Sequence, residues 1–391
     1  MQSFSSSVGH VAGLISRRAL LAEGLAEAAV QFRDGQIAAC DGSPTRGMID
    51  YGDLLVLPGI VDLHGDAFER AVMPRPGVAF PYETALADVD GQLLACGITT
   101  EFHGVTYSWE GGLRGRAYAV RMLDTLDAMR PHLGAQHLMH LRFELHHADG
   151  VADALAWMDA GRVHFLSFND HLPMMRDKLG DARKLAQYAD RAECDIDTFL
   201  ARLNAAAANA TRLNEVTGTL ARAAQQRGIC MASHDEPDIA TRNTFHAHGC
   251  TVTEFPLTED VARAARAHGG HTVFGAPNVV RGGSHHGAPN ASAMVAAGLG
   301  TVLASDYYYP ALLAAPFKLA ERGVVPLAEA WALVASNPAE AAGLTDRGVL
   351  APGLRADAIV VDDRRPGLPR VVAAVVGGRL RHAAGQLPLI G

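Results

Sequence analysis

A chain of 391 residues, 49% hydrophobic and 19% charged, is long enough to bury one large core beside a small accessory domain, and it reads as globular. Its net charge of -8, from 34 basic and 42 acidic residues without a Lys/Arg cluster, argues against a partner held through nucleic-acid phosphates. Three features make the expectation a cytoplasmic protein off the membrane: no apolar run nears the ~20 residues of a membrane-spanning helix, the 5 cysteines lack a Cys-x-x-Cys pair, and the N-terminal stretch lacks a small-residue cleavage site.

From Val11 to about Val56 the texture is short and strand-like. Ala28–Phe32 and Gln36–Cys40 flank Asp34-Gly35, a hairpin signal, and Asp41-Gly42 marks another turn. The tail repeats it in Ala358–Val361, in Arg370–Val376 and in a Gly377-Gly378 turn, so the two ends are expected to pair into one small β domain, residues 1–56 with 349–391. Over 57–348, strands alternate with helical stretches, the pattern of β/α units on a parallel sheet. The strand candidates are Leu55–Leu63, Thr99–Val105, Leu138–Leu145, Val163–Phe168, Ile229–Ser233, Val252–Phe255, Thr272–Gly275 and Thr301–Ala304, with a long broken helix over about Asp177–Gln226. This predicts an α/β fold, a TIM-like (β/α)8 barrel with a small β-sandwich domain formed by both chain ends.

Ligand-type residues close several of these strands. His64 and Asp66 lie two apart after Ile60-Val61-Asp62-Leu63, and on a strand such a pair can face one atom. Glu144, His171, His234 and Asp306 follow later strands, and the carboxyl ends of parallel barrel strands share one mouth. Neutral imidazole and carboxylate are the usual ligands of an open zinc site, so these six residues are the candidate metal ligands, for zinc or another divalent ion, one or two of them. Asp306 is also the candidate catalytic base, accepting a proton from water. Asn169, Asp170 and Asp235 rank lower because they could be helix caps. Glu144 could instead pair with Arg142 on the same strand face.

After the seventh strand, Arg281-Gly282-Gly283-Ser284-His285 reads either as a tight turn or as an anion cradle in which backbone amides approach phosphate and Arg281 grips it. Arg75, in Pro74-Arg75-Pro76 after the first strand, is a second basic spot. Walker, nucleophile-elbow and dinucleotide motifs are missing.

Pro58-Gly59-x-x-Asp62-x-His64, the mid-barrel histidines, the late Asp306 and Asn337-Pro338-Ala339 before Asp346-Arg347-Gly348-Val349 resemble the amidohydrolase superfamily. Leu63-His64-Gly65-Asp66, Pro74-Arg75-Pro76, Ala232-Ser233-His234-Asp235 and Gly275 through His285 are similar to its phosphonate-metabolism branch, which carries Asp where most members have the second His of a His-x-His. The resemblance implies a metal-dependent hydrolase of a small phosphorylated ribose, cleaving a 5-triphosphate to the 5-phosphate and diphosphate by attack of activated water on the phosphorus nearest the ribose. The alternative is an amidohydrolase acting on a C–N bond, a deaminase, cyclic amidase or N-acyl deacetylase. A non-catalytic scaffold would lack ligands, and none of the expected positions is empty. A large apolar barrel is compatible with a homodimer, though no interface can be named.

Overall fold

The apolar run read as one strand over Leu55–Leu63 is two strands in two different sheets. Gly59 is where the chain passes from one to the other: a Cβ there would stand 2.3 Å from Thr99 Oγ1, so the crossing needs bare backbone. The structure, a computed structural model, describes residues 10–41, 43–75, 77–283 and 289–385.

The first sheet comprises β1 (Gly13–Leu21), β2 (Gly24–Arg33), β3 (Gln36–Ala39), β4 (Met48–Asp50) and β5 (Leu55–Pro58). The second contains β6 (Ile60–Gly65), β7 (Ile98–Tyr107), β8 (Gln136–Glu144), β9 (Phe165–Asn169), β10 (Cys230–His234), β11 (Val252–Glu254), β12 (His271–Gly275) and β13 (Val302–Ala304). β14 (Ala358–Asp362), β15 (Arg370–Val376) and β16 (Arg379–Ala383) return to the first sheet, whose order is β16-β15-β14-β5-β1-β2-β3 with β4 beside β1. The two chain ends therefore pair, β14 running antiparallel to β5. The expected Asp34-Gly35 hairpin is present, with both residues at positive φ; at the second expected turn, Gly42 lies outside the described residues.

β6 to β13 are hydrogen-bonded in chain order and every pair is parallel. The ring closes at its mouth, where Gly65 pairs with Asp306: Asp306 N donates to His64 O and Asp66 N to Asp306 O, each at 3.0 Å. Inside, Val61, Leu63, Phe102, Leu138, Phe165, Val252, Val273 and Val302 fill the barrel, and Ala339, Ala341 and Ala342 pack against them. A larger apolar layer separates the strands from the surrounding helices. Such a core leaves no pore, so only the carboxyl ends of the strands can carry a site.

The long helical stretch expected over about Asp177–Gln226 is three helices, Ala182–Arg191, Ile196–Ala207 and Leu213–Gln226, preceded by a short one, Leu172–Asp177. Asp181 and Asp195 cause two of the breaks, their carboxylates accepting from the backbone amides of Arg183 and Lys184 and of Thr198. All five cysteines are free. Among the described residues no helix is long and apolar enough to cross a membrane.

Candidate active site

Six strand ends contribute side chains to one mouth. His64, at the end of β6, is buried, and its Nδ1 lies 2.8 Å from Glu254 Oε1 on β11. With Nδ1–H donating to that carboxylate, Nε2 presents its lone pair to the centre of the mouth. Ser167 Oγ donates to the other oxygen of Glu254 at 2.7 Å, and His140 Nε2, buried without a hydrogen-bond partner among the described residues, stands 3.8 Å from it. Burial opposes the charge of Glu254, but the facing His64 and His140 hold its carboxyl well below the usual carboxylate range.

The His234 ring lies 5.4 Å from both the His64 and the His171 rings, so the three imidazoles form one arc. Asp235 bridges two of them, Oδ2 being 3.2 Å from His234 Nδ1 and 3.6 Å from His171 Nε2. Glu144 ends β8 and meets His171, not Arg142: Oε1 lies 2.5 Å from His171 Nδ1, and Oε2 accepts from the His171 amide at 3.3 Å. Burial works against the ionised form of each. Their mutual attraction prevails, holding Glu144 down at about 2 and, with Asp235, lifting His171 to about 9. Arg142 turns to the middle of the mouth, Nη2 3.1 Å from His234 Nε2 and Nη1 3.6 Å from Asp66 Oδ2.

Asp306 follows β13 with φ 56°, and its Oδ2 would lie 3.4 Å from a Cβ on Gly275. Burial first, then the neighbouring Asp66 carboxylate, pushes its carboxyl up to about 6. Asp235 (φ 53°) and Phe255 (φ 51°) follow β10 and β11 in the same left-handed conformation, so uncommon backbone is concentrated at this rim.

All six expected ligands, His64, Asp66, Glu144, His171, His234 and Asp306, thus gather at one end of the barrel. Among the described residues, two groups have donor atoms within 4.8 Å of one another: His64, His140 and Glu254, and His171, His234 and Asp235. Imidazole and carboxylate donors, an orphaned His140 nitrogen and crowded acids that raise Asp306 suit a divalent cation. Sequence reasoning passed over His140 and Glu254. Glu254 ends β11 as the other ligands end theirs, and His140 shares a strand face with Arg142 and Glu144, so both signals were present.

The described part of the glycine loop is a helix end. Gly282 is the left-handed cap of the helix Ala276–Arg281, and the amides of Gly282 and Gly283 both donate to Asn278 O, at 3.1 and 3.0 Å. Those two donors serve the helix end. Arg281 is exposed, its Nη1 3.4 Å from Tyr307 Oη beside Asp306. Ser284 and His285 lie outside the described residues, as does Pro76; Arg75 is exposed in a turn closed by Val78 N to Arg75 O at 3.0 Å.

The family model described as the amidohydrolase family matches residues 55–382. The chain is 33% identical over 344 residues, 85% of its length and 90% of the relative's, to the alpha-D-ribose 1-methylphosphonate 5-triphosphate diphosphatase of Escherichia coli (strain K12). Among solved structures it is similar to the N-isopropylammelide isopropylaminohydrolase of Burkholderia multivorans ATCC 17616 (TM-score 0.62, 18% identity, covering 95% of this chain and 98% of that one). It is also similar to the zinc-complexed atrazine chlorohydrolase of Arthrobacter aurescens TC1 (TM-score 0.64, 15% identity, 95% of each chain). At those identities the two structures speak to the barrel fold alone.

Proposed function

The chain belongs to the amidohydrolase family, and on that premise we propose that it is a metal-dependent diphosphatase that converts alpha-D-ribose 1-methylphosphonate 5-triphosphate to the 5-phosphate and diphosphate. The observation that carries this reading is the 33% identity, along most of both chains, to a relative named for that substrate. The mouth described above supplies groups suited to the chemistry.

His64, Asp66, His171, His234 and Asp306 are the residues proposed to line the divalent-metal centre, with Glu144 setting His171. The ion would supply a Lewis acid that draws charge from phosphoryl oxygens and brings the pKa of a water towards ~7. Asp306 takes the proton of the attacking water: with its carboxyl at about 6, it is ionised near neutrality yet basic enough to accept. The new O–P bond forms at the phosphorus nearest the ribose while the bond to the bridging oxygen breaks, and diphosphate leaves with that oxygen. Glu254 fixes the His64 tautomer and ring. Arg281 and Arg75, both exposed, would grip the outer phosphates, where a guanidinium fork gives two parallel hydrogen bonds.

The test is incubation of the metal-loaded protein with the ribose triphosphate, with ATP, and with a panel of cyclic amides, N-acyl sugars and aminopyrimidines, read by phosphorus NMR and ammonia release. Diphosphate and 5-phosphate are expected. Ammonia or carboxylate from the second set, with the triphosphate untouched, would replace this reading by C–N hydrolysis.

A further inference from the structure

A permanently charged side chain already occupies the middle of the mouth. Arg142 rises from β8 on the face that carries His140 and Glu144, is 6% exposed, and leaves its Nε buried without a hydrogen-bond partner among the described residues. Its passage depends on β7: a Cβ on Gly104 would stand 3.2 Å from Arg142 Cδ and 3.8 Å from His64 Nε2, so the absence of a side chain there lets arginine and histidine reach the same space. A guanidinium can only donate and keeps its proton. At 3.1 Å from Nη2, His234 Nε2 therefore accepts through its lone pair, and that is the lone pair an ion would need. Asp66, 3.6 Å from Nη1, is drawn the same way.

We propose that Arg142 is a built-in cation standing in for one member of a metal pair, so that the mouth binds a single divalent ion. This rests on reading the mouth as a metal centre. Two-ion hydrolase sites space their ions about 3.5–4 Å apart to clamp both the attacking and the leaving oxygen. Here Arg142 supplies the second positive charge by engaging His234 and Asp66, groups a second ion would otherwise take, and its planar fork is shaped for phosphoryl oxygens.

The experiment is metal stoichiometry on the full chain, loaded with excess Zn²⁺, desalted and measured by plasma mass spectrometry, with native folding checked by circular dichroism. Wild type is expected to retain about one ion per chain, and Arg142→Gln and Arg142→Ala about two. Surface Arg130→Ala should match wild type. Because wild type alone can refute the idea, the Mn²⁺-loaded wild-type protein is also examined by electron paramagnetic resonance: an uncoupled spectrum is expected, and a spin-coupled pair overturns it. So does a wild-type ratio of about two, or folded variants that keep the wild-type ratio. Diphosphate release is measured on the same preparations. One ion with no release refutes the diphosphatase reading and leaves this one standing, whereas release with two ions does the reverse.

Discussion

Loading the site with metal must expel a proton that the empty site holds strongly. His171 sits between Glu144, 2.5 Å from its Nδ1, and Asp235, 3.6 Å from its Nε2, and despite burial its imidazole is lifted to about 9. A histidine ligand must be neutral. Near pH 7 deprotonating a group of that pKa costs on the order of 3 kcal/mol, which weakens apparent affinity ~100-fold. The sign follows directly: a raised imidazole is charged below its pKa, so affinity climbs tenfold per pH unit until about pH 9 and then levels. The neighbouring His64 is also pushed up by Glu254 against its burial, so the informative quantity is a difference. Zinc affinity, measured from about pH 6.5 to about pH 9 by competition with a chromogenic chelator, should rise ~1 log unit per pH unit more steeply for wild type than for His171→Asn. Calorimetry in buffers of different ionisation enthalpy should find about one extra proton released by wild type near pH 7. Equal slopes in the two proteins would refute the assignment of His171 as a charged imidazole that must yield to the ion.

Asp306→Asn should retain metal and lose ~10²–10⁴-fold in kcat, and wild-type kcat/KM should fall tenfold per pH unit below about pH 6, where the carboxylate is protonated; full activity in the variant removes the general-base role. Arg281→Ala is expected to raise KM for the triphosphate about tenfold, with kcat changed less, in steady-state assays of diphosphate release. Trp331, 1% exposed and donating from Nε1 to Pro58 O at 3.1 Å, helps fasten the barrel beside the sheet crossing; Trp331→Ala should cost about 3–5 kcal/mol in urea unfolding, and a cost under about 1 kcal/mol would show that the site collapses freely.

Parallel barrel strands are buried on both faces, so they read in sequence as continuous apolar runs, and that is why each of β6 to β13 was recognisable to within a few residues. The same property concealed the division at Gly59: Leu55–Pro58 and Ile60-Val61 read as one apolar run, and the change of sheet appears in the strand pairing and in the closeness of Thr99. The helical segment after Asp177 suffered from the opposite problem. Its periodicity is long and even, while the stops at Asp181 and Asp195 depend on single carboxylates turning back onto amides two or three residues ahead.

The site was legible where one strand end sufficed and hidden where two strands had to be combined. His64, Glu144, His234 and Asp306 each announce themselves by closing an apolar run, but the destination of Arg142 is decided on β7, where Gly104 leaves space, and its partners come from β6 and β10. The rim backbone belongs to the same class. Asp235, Phe255 and Asp306 adopt left-handed conformations that cost of order 1–3 kcal/mol each. An aspartate tolerates this well, a phenylalanine badly. Yet the amides of all three extend the strand ladder by one more bond, to Glu254 O, Val273 O and His64 O. Phe255 also walls the histidines, 5.0 Å from the His64 ring and 5.3 Å from that of His234. The strained turn at Asp306 therefore completes the barrel and the one at Phe255 closes the apolar side of the site, couplings between strands that no stretch of sequence contains by itself.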